Sequence, residues 1–260
     1  MVNQPIVFEQ PVNELMRVCL KLEHLLAVIN TALRGESVYD TRVAVSALID
    51  VLTLTDRPDL RGKFIKELMR LRSSFQRFLN QERIDQVKLD VTLQELEKFI
   101  MELQNSSGKF GAQLRENEFL TNIRQHLMAS GGGLSFDTPA FFYWLSYPVK
   151  TRHTRIIEWL TELEDLFQIT QYILKLIRQS GHPVLYTAKE GFFQMNLDPQ
   201  LLCQLIKITV SYELSVFPEI SVGRHGVGIR FHELSNKDSA RDRPPPCETD
   251  ISFYMSCCVL

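Results

Sequence analysis

Seven basic side chains, Arg57, Arg61, Lys63, Lys66, Arg70, Arg72 and Arg77, fall in a stretch that holds only two acidic ones, Asp59 and Glu67. Arg57 and Arg61 stand four apart, as do Lys66 and Arg70, and that spacing puts each pair on one side of a helix. Guanidinium groups in such an array can grip carboxylates or phosphates through paired hydrogen bonds. The plain alternative is a solvated helix face, which is what most runs of charge are. A nucleic acid is one ligand such a positive face could take, and its binding would fall steeply with salt.

Other candidate chemistry is thinner. Gly131-Gly132-Gly133 lacks the Lys-Ser/Thr of a phosphate-binding loop and follows helical sequence, so it reads as a turn with positive φ before Asp137 and Pro139 open the next helix. His24, His126, His153, His182, His225 and His232 are scattered without metal-ligand spacing, and no nucleophile elbow is present. Neither a metal, nor a cofactor, nor an enzymatic activity is expected. The five cysteines, Cys19, Cys203, Cys247, Cys257 and Cys258, are odd in number and lack a Cys-x-x-Cys spacing, which implies free thiols. Cys257-Cys258-Val259-Leu260 has the form of a prenylation box, but the alternating run before it makes Cys257 a buried strand residue. Phe141, Phe142, Trp144 and Tyr147 cluster without interleaved basic residues, a pattern of core packing rather than of a base-stacking platform.

The elements that must position these residues follow from periodicity. Leu15, Cys19, Leu22, Leu26, Ile29 and Leu33 step by fours and threes, and similar stripes recur at Val45-Leu48-Ile49-Leu52, Leu68-Leu71-Phe75-Phe78 and Leu93-Leu96-Ile100-Leu103. Shorter helices are expected near 114–128 and 138–147, and one long helix over 152–179. Beyond Gly181-His182-Pro183 the period becomes two: Ile206, Ile208 and Val210 alternate with polar residues, as do Val227, Ile229 and Phe231, and then Ile251, Phe253, Met255 and Cys257. The expected architecture is α+β, with an N-terminal helical bundle over 13–181 and a small C-terminal antiparallel β-sheet domain over 182–260, which residues 5–12 join. Ser235 to Glu248, interrupted by prolines, reads as a mobile loop. With 31 acidic against 29 basic residues in 260, no global field would attract nucleic acid or anionic lipid. No apolar run reaches the roughly 18 residues that span a bilayer, and no signal-peptide pattern opens the chain, so a cytoplasmic protein without membrane insertion is expected.

Four segments carry a family resemblance: Phe8-Glu9-Gln10-Pro11 running into the first helix at Asn13, Phe64-Ile65-Lys66-Glu67-Leu68, Gly131 to Pro139, and Gly228-Ile229-Arg230-Phe231-His232. In order and spacing they resemble the ZapD family of bacterial division proteins. The resemblance implies a non-enzymatic homodimer in the cytoplasm, at the division septum, that binds the acidic C-terminal tail of FtsZ and bundles its filaments. It also implies that Arg57, Arg61 and Arg230 hold the tail; Lys66 and Arg70, paired four apart on the same basic helix, are the further candidate partner-binding residues. Where family members carry a second basic residue four positions before the strand arginine, this chain has Gly226, and Arg224 or His225 would supply that charge. On this reading Arg57→Glu or Arg61→Glu weakens tail binding and leaves the fold intact. The rival function is a nucleic-acid-binding regulator that uses the 57–77 face.

Overall fold

The computed structural model describes residues 5–79, 81, 84–127, 132–198, 202–223, 226–233 and 245–260. The elements run β1 (Ile6–Pro11), α1 (Glu14–Ala32), α2 (Val38–Thr55), α3 (Leu60–Gln76), α4 (Gln86–Asn105), α5 (Ala112–Glu116), α6 (Glu118–Leu127), α7 (Pro139–Trp144), α8 (Val149–Thr161), α9 (Glu164–Gln179), β2 (Val184–Ala188), β3 (Phe192–Asn196), β4 (Cys203–Val210), β5 (Val216–Val222), β6 (Gly226–Glu233) and β7 (Ile251–Val259). The fold is α+β. Two compact units divide the chain: a helical unit, Val18–Ile173, and a second built from Met1–Arg17 together with Leu174–Leu260.

In the helical unit the stripes are buried as their spacing requires: Leu48, Phe64, Leu68, Leu71 and Leu96 are wholly inaccessible to solvent. α2 begins with a reciprocal cap in which Ser37 Oγ accepts from Asp40 N–H at 3.1 Å and Asp40 Oδ2 accepts from Ser37 N–H at 3.0 Å. The long helix expected over 152–179 is instead two helices. α8 closes in a tight turn, with Leu163 N–H donating to Leu160 C=O at 2.9 Å. That turn places Leu163 in the core against Gly111, where φ is 64° and a Cβ would lie 2.9 Å from Leu163 Cδ2. Phe78, expected on a buried stripe, is exposed just past the end of α3.

The second unit is a sandwich of two antiparallel sheets, β1-β4-β7-β2 and β3-β6-β5. The alternation of apolar and polar residues locates one face of each sheet. Ile206, Ile208, Val227, Ile229, Phe231, Phe253 and Met255 all point into one core between the sheets. Phe253 anchors that core, with its ring centroid 5.1 Å from Phe231 and 5.4 Å from Phe193. The chain passes from β2 in one sheet to β3 in the other through Glu190 and Gly191, both at positive φ. A Cβ on Gly191 would stand 2.3 Å from the Cys247 carbonyl oxygen, so only glycine fits there.

Alternation misassigns four positions, and one of them, Cys257, expected to be buried, is only half-buried. His232, expected on the wet face, is buried because Phe217 stacks on it at 5.6 Å. Ser256 and Cys258 are buried as well, because the chain leaving α9 covers that end of β7 and a Cβ on Gly181 would touch both. The stretch 234–244, the larger part of the segment expected as a mobile loop, lies outside the described residues. Ile229→Ala should cost about 2 to 5 kcal/mol in denaturant unfolding, since Ile229 is wholly buried between the sheets. Arg230→Ala, one residue on and facing out, should cost less than about 1 kcal/mol.

Candidate functional site

On the outer face of the three-stranded sheet, strand register brings together residues distant in sequence. β6 sets Arg230 opposite Glu219 of β5 and opposite Phe192 of β3. The Arg230 guanidinium lies over the Phe192 ring, 5.1 Å from its centroid, which holds the cation in place on an exposed residue. Glu219 Oε2 lies 3.1 Å from His232 Nε2. These side chains, with Ser221, Gly228 and Pro246, line an open cleft of about 490 Å³. A Cβ on Gly228 would meet nothing within 4 Å, so the cleft is open above that residue. Its chemistry is that of an anion site: an exposed guanidinium on an aromatic face beside a carboxylate already engaged by a histidine.

Arg224 and His225 lie outside the described residues. Gly226 opens β6 opposite Asn196, and a Cβ there would stand 2.9 Å from the Met195 carbonyl oxygen. The close approach of β3 therefore leaves no room for a side chain at 226 unless the backbone shifts.

Arg57, Arg61, Lys66 and Arg70 belong to the helical unit. Asp56, at the end of α2, accepts from Arg115 Nε at 2.9 Å and Arg124 Nη2 at 2.5 Å. Burial pushes its carboxyl up, but these hydrogen bonds and the two positive charges outweigh that and bring it below the ordinary carboxylate value. Arg57 follows, half-buried in the turn before α3. Arg61 turns toward the end of α4: its Nε donates to Gly108 C=O at 3.0 Å, and its Nη1 donates to the carbonyls of Leu103 at 3.3 Å and Ser106 at 3.2 Å and to Ser106 Oγ. Its guanidinium also lies over the Phe110 ring at 4.8 Å, and desolvation lowers its pKa. Only Nη2 lacks a partner among the described residues. Arg70 makes a two-pronged ion pair with Glu67, at 3.0 and 2.5 Å, and Arg72 pairs with Glu97. Lys63, Lys66 and Arg77 are exposed.

The face over 57–77 is thus not a continuous free stripe. Arg61 closes a helix end, so the expectation that Arg61→Glu spares the fold is corrected: the guanidinium satisfies carbonyls that α4 leaves unpaired. Phe192 and Glu219 went unread in the sequence because no motif marks them and only register places them beside Arg230, while His232 stood in the segment around Arg230 with no role read for it.

A family model described as ZapD, cell division protein, matches residues 20–230. The chain belongs to the ZapD family. It is 36% identical over 258 residues to a cell division protein ZapD from Coxiella burnetii (strain RSA 493 / Nine Mile phase I), covering 99% of each chain. The ZapD protein of Methylococcus capsulatus (strain ATCC 33009 / NCIMB 11132 / Bath) is 35% identical over 261 residues, 100% of each, and that of Ralstonia pickettii (strain 12J) is 33% identical over 254, covering 97% of this chain and 99% of the relative. ZapD membership supports a role in cell division. Among the described residues no helix is long and apolar enough to cross a membrane.

Two stability predictions follow from the arginine contacts. Arg61→Ala should lose about 1.5 to 3 kcal/mol in urea unfolding, because it strands backbone carbonyls that a charged donor satisfies, whereas exposed Lys66→Ala should change stability by less than about 0.5 kcal/mol. Asp56→Asn should also destabilise, and in a pH-dependent way. A carboxylate with a depressed folded-state pKa adds stability above its unfolded value of about 3.9 and loses it as pH falls through the folded value. The gap between parent and Asp56→Asn should therefore be full at pH 7 and close below about pH 4, as read by melting across that range.

Proposed function

We propose that this chain is a non-enzymatic division factor that captures the acidic C-terminal tail of FtsZ and, as a homodimer, crosslinks and bundles FtsZ filaments at the division ring. Family membership over nearly the whole chain supports the divisional role. The feature that carries the binding reading is Arg230, exposed in an open cleft and set on an aromatic ring, where an acidic peptide can reach it. In the helical unit the candidate contacts are Arg57, Lys66, Arg70 and the open Nη2 of Arg61. Arg224 completes the set. The balanced total charge, 31 acidic against 29 basic residues, and the pairing of Arg72 with Glu97 weigh against a nucleic-acid stripe along 57–77.

Bundling follows from avidity. Each tail contact can be weak, yet a filament displays many tails, so two linked sites bind far more tightly than one. Fluorescence anisotropy with a labelled FtsZ C-terminal peptide tests the reading: Arg230→Ala and Lys66→Glu should each weaken binding while melting stays near that of the parent. Unchanged affinity in both would remove these residues from the site. Light scattering should give about twice the 30.1 kDa chain mass, and pelleted FtsZ bundles should diminish with salt, since surface arginine–carboxylate contacts are screened. A strict monomer that still bundles FtsZ would defeat the bivalent mechanism.

A further inference from the structure

Of the five free cysteines, Cys19, Cys247 and Cys258 are buried, whereas Cys203 and Cys257 are only half-buried and sit near one end of the β4–β7 pair. In the ladder Cys203 faces Val259, and Cys257 faces Ile206. Residues two apart on a strand share a face, so Cys257 and Val259 point the same way and Cys203 lies diagonally beside Cys257. That face is the core side of the sandwich, where Ile206 is buried and Cys203 packs at the edge. A register shift between Cys203 and Leu205 breaks the regular ladder at this point, and such bulges bend a strand locally. The neighbouring Cys258 points the other way, opposite Leu205 and against Gly181.

We propose that Cys203 and Cys257 form an oxidisable dithiol, a modification site at which a hydroperoxide closes a disulfide between β4 and β7. Interaction with the Cys203 thiol brings the Cys257 thiol down to about 7 and pushes that of Cys203 up, so Cys257 is the more readily ionised of the two. Burial, by contrast, pushes Cys258 up to about 11. In the reaction the Cys257 thiolate attacks one peroxide oxygen. The O–O bond breaks, the leaving oxygen departs as alkoxide or hydroxide and takes from water the proton that the Cys257 thiol released on ionising, giving alcohol or water, and Cys257 becomes a sulfenic acid. Cys203 sulfur then attacks Cys257 sulfur: the S–S bond forms, the S–O bond breaks, and hydroxide leaves with the Cys203 proton as water. Two thiols are oxidised, and the peroxide is reduced to alcohol or water plus a second water. A thiol reductant reverses the step.

The test uses the full chain with stoichiometric hydrogen peroxide, followed by alkylation under denaturing conditions and intact-mass and non-reducing peptide mass spectrometry. The expected product has lost two hydrogen atoms, carries a Cys203–Cys257 crosslinked peptide and reverts with dithiothreitol. Cys258→Ser should still form it. Cys203→Ser should stop at a sulfenic acid on Cys257 that dimedone traps. Five alkylatable thiols after peroxide treatment would overturn the proposal. So would a crosslink that runs through Cys19, Cys247 or Cys258, or one that persists in Cys257→Ser. If a serine variant does not fold, the crosslink map of the parent chain decides by itself.

Discussion

Antiparallel pairing of β1 with β4 is the constraint on which the rest hangs. It joins the start of the chain to a strand reached only after all nine helices described above. Asn13 fastens this junction twice. Its Oδ1 accepts from Met16 N–H at 2.9 Å, capping α1, and its Nδ2 donates to Gln204 Oε1, 191 positions away. Val12 N–H reaches the Gln204 carbonyl at 3.0 Å. On the same strand Glu9 takes a two-pronged ion pair from Arg178 near the end of α9, at 2.8 and 2.6 Å. The last turn of one helix and the first turn of another are therefore both tied to a single strand, and the sandwich is closed by residues from both ends of the chain.

Arginine does two different jobs in this molecule, and the difference is one of surroundings. A helix end leaves carbonyl groups unpaired and carries a partial negative charge, and a planar fork of donors satisfies several carbonyls at once. Arg61 does this for α4, and Arg115 for α2, where it reaches Leu52 C=O at 3.0 Å and Thr55 Oγ1 at 2.6 Å while pairing with Asp56. Arg230 has the same chemistry on the outer face of a sheet, where the backbone groups are already bonded to β3 and β5. Its only described contact is the Phe192 ring, and the residue is exposed.

The sequence was legible where a property depends on neighbours in sequence. The stripe through Phe64, Leu68 and Leu71 and the alternation through Val227, Ile229 and Phe231 are local rhythms, and burial follows them. Legibility ended where a second element decides. His232 and Cys258 keep the rhythm of wet-face residues but are covered by Phe217 and by the Gly181 turn. β2, β3 and β5 are short and lack a strong period of their own, so their strand identity comes from pairing. The same holds for the site. Arg230 stood out by its type and the motif around it, but Glu219 and Phe192 become its neighbours only through register, and the role of Arg61 depends on where α4 stops.

The place of β7 has a consequence for how the protein comes into being. This strand lies inside the four-stranded sheet, between β4 and β2, yet it is the last of the described elements to leave the ribosome. The helices are built from local contacts and can form while synthesis continues, whereas the sheet that holds β1 and β2 together cannot close until residues 251–259 have been made. Until β7 arrives, β4 is held on one side by β1 and keeps its other edge unsatisfied, able to pair with another chain. Protein quality in the cell then depends on how long that edge stays open, and slow translation of the final segment would lengthen the exposure.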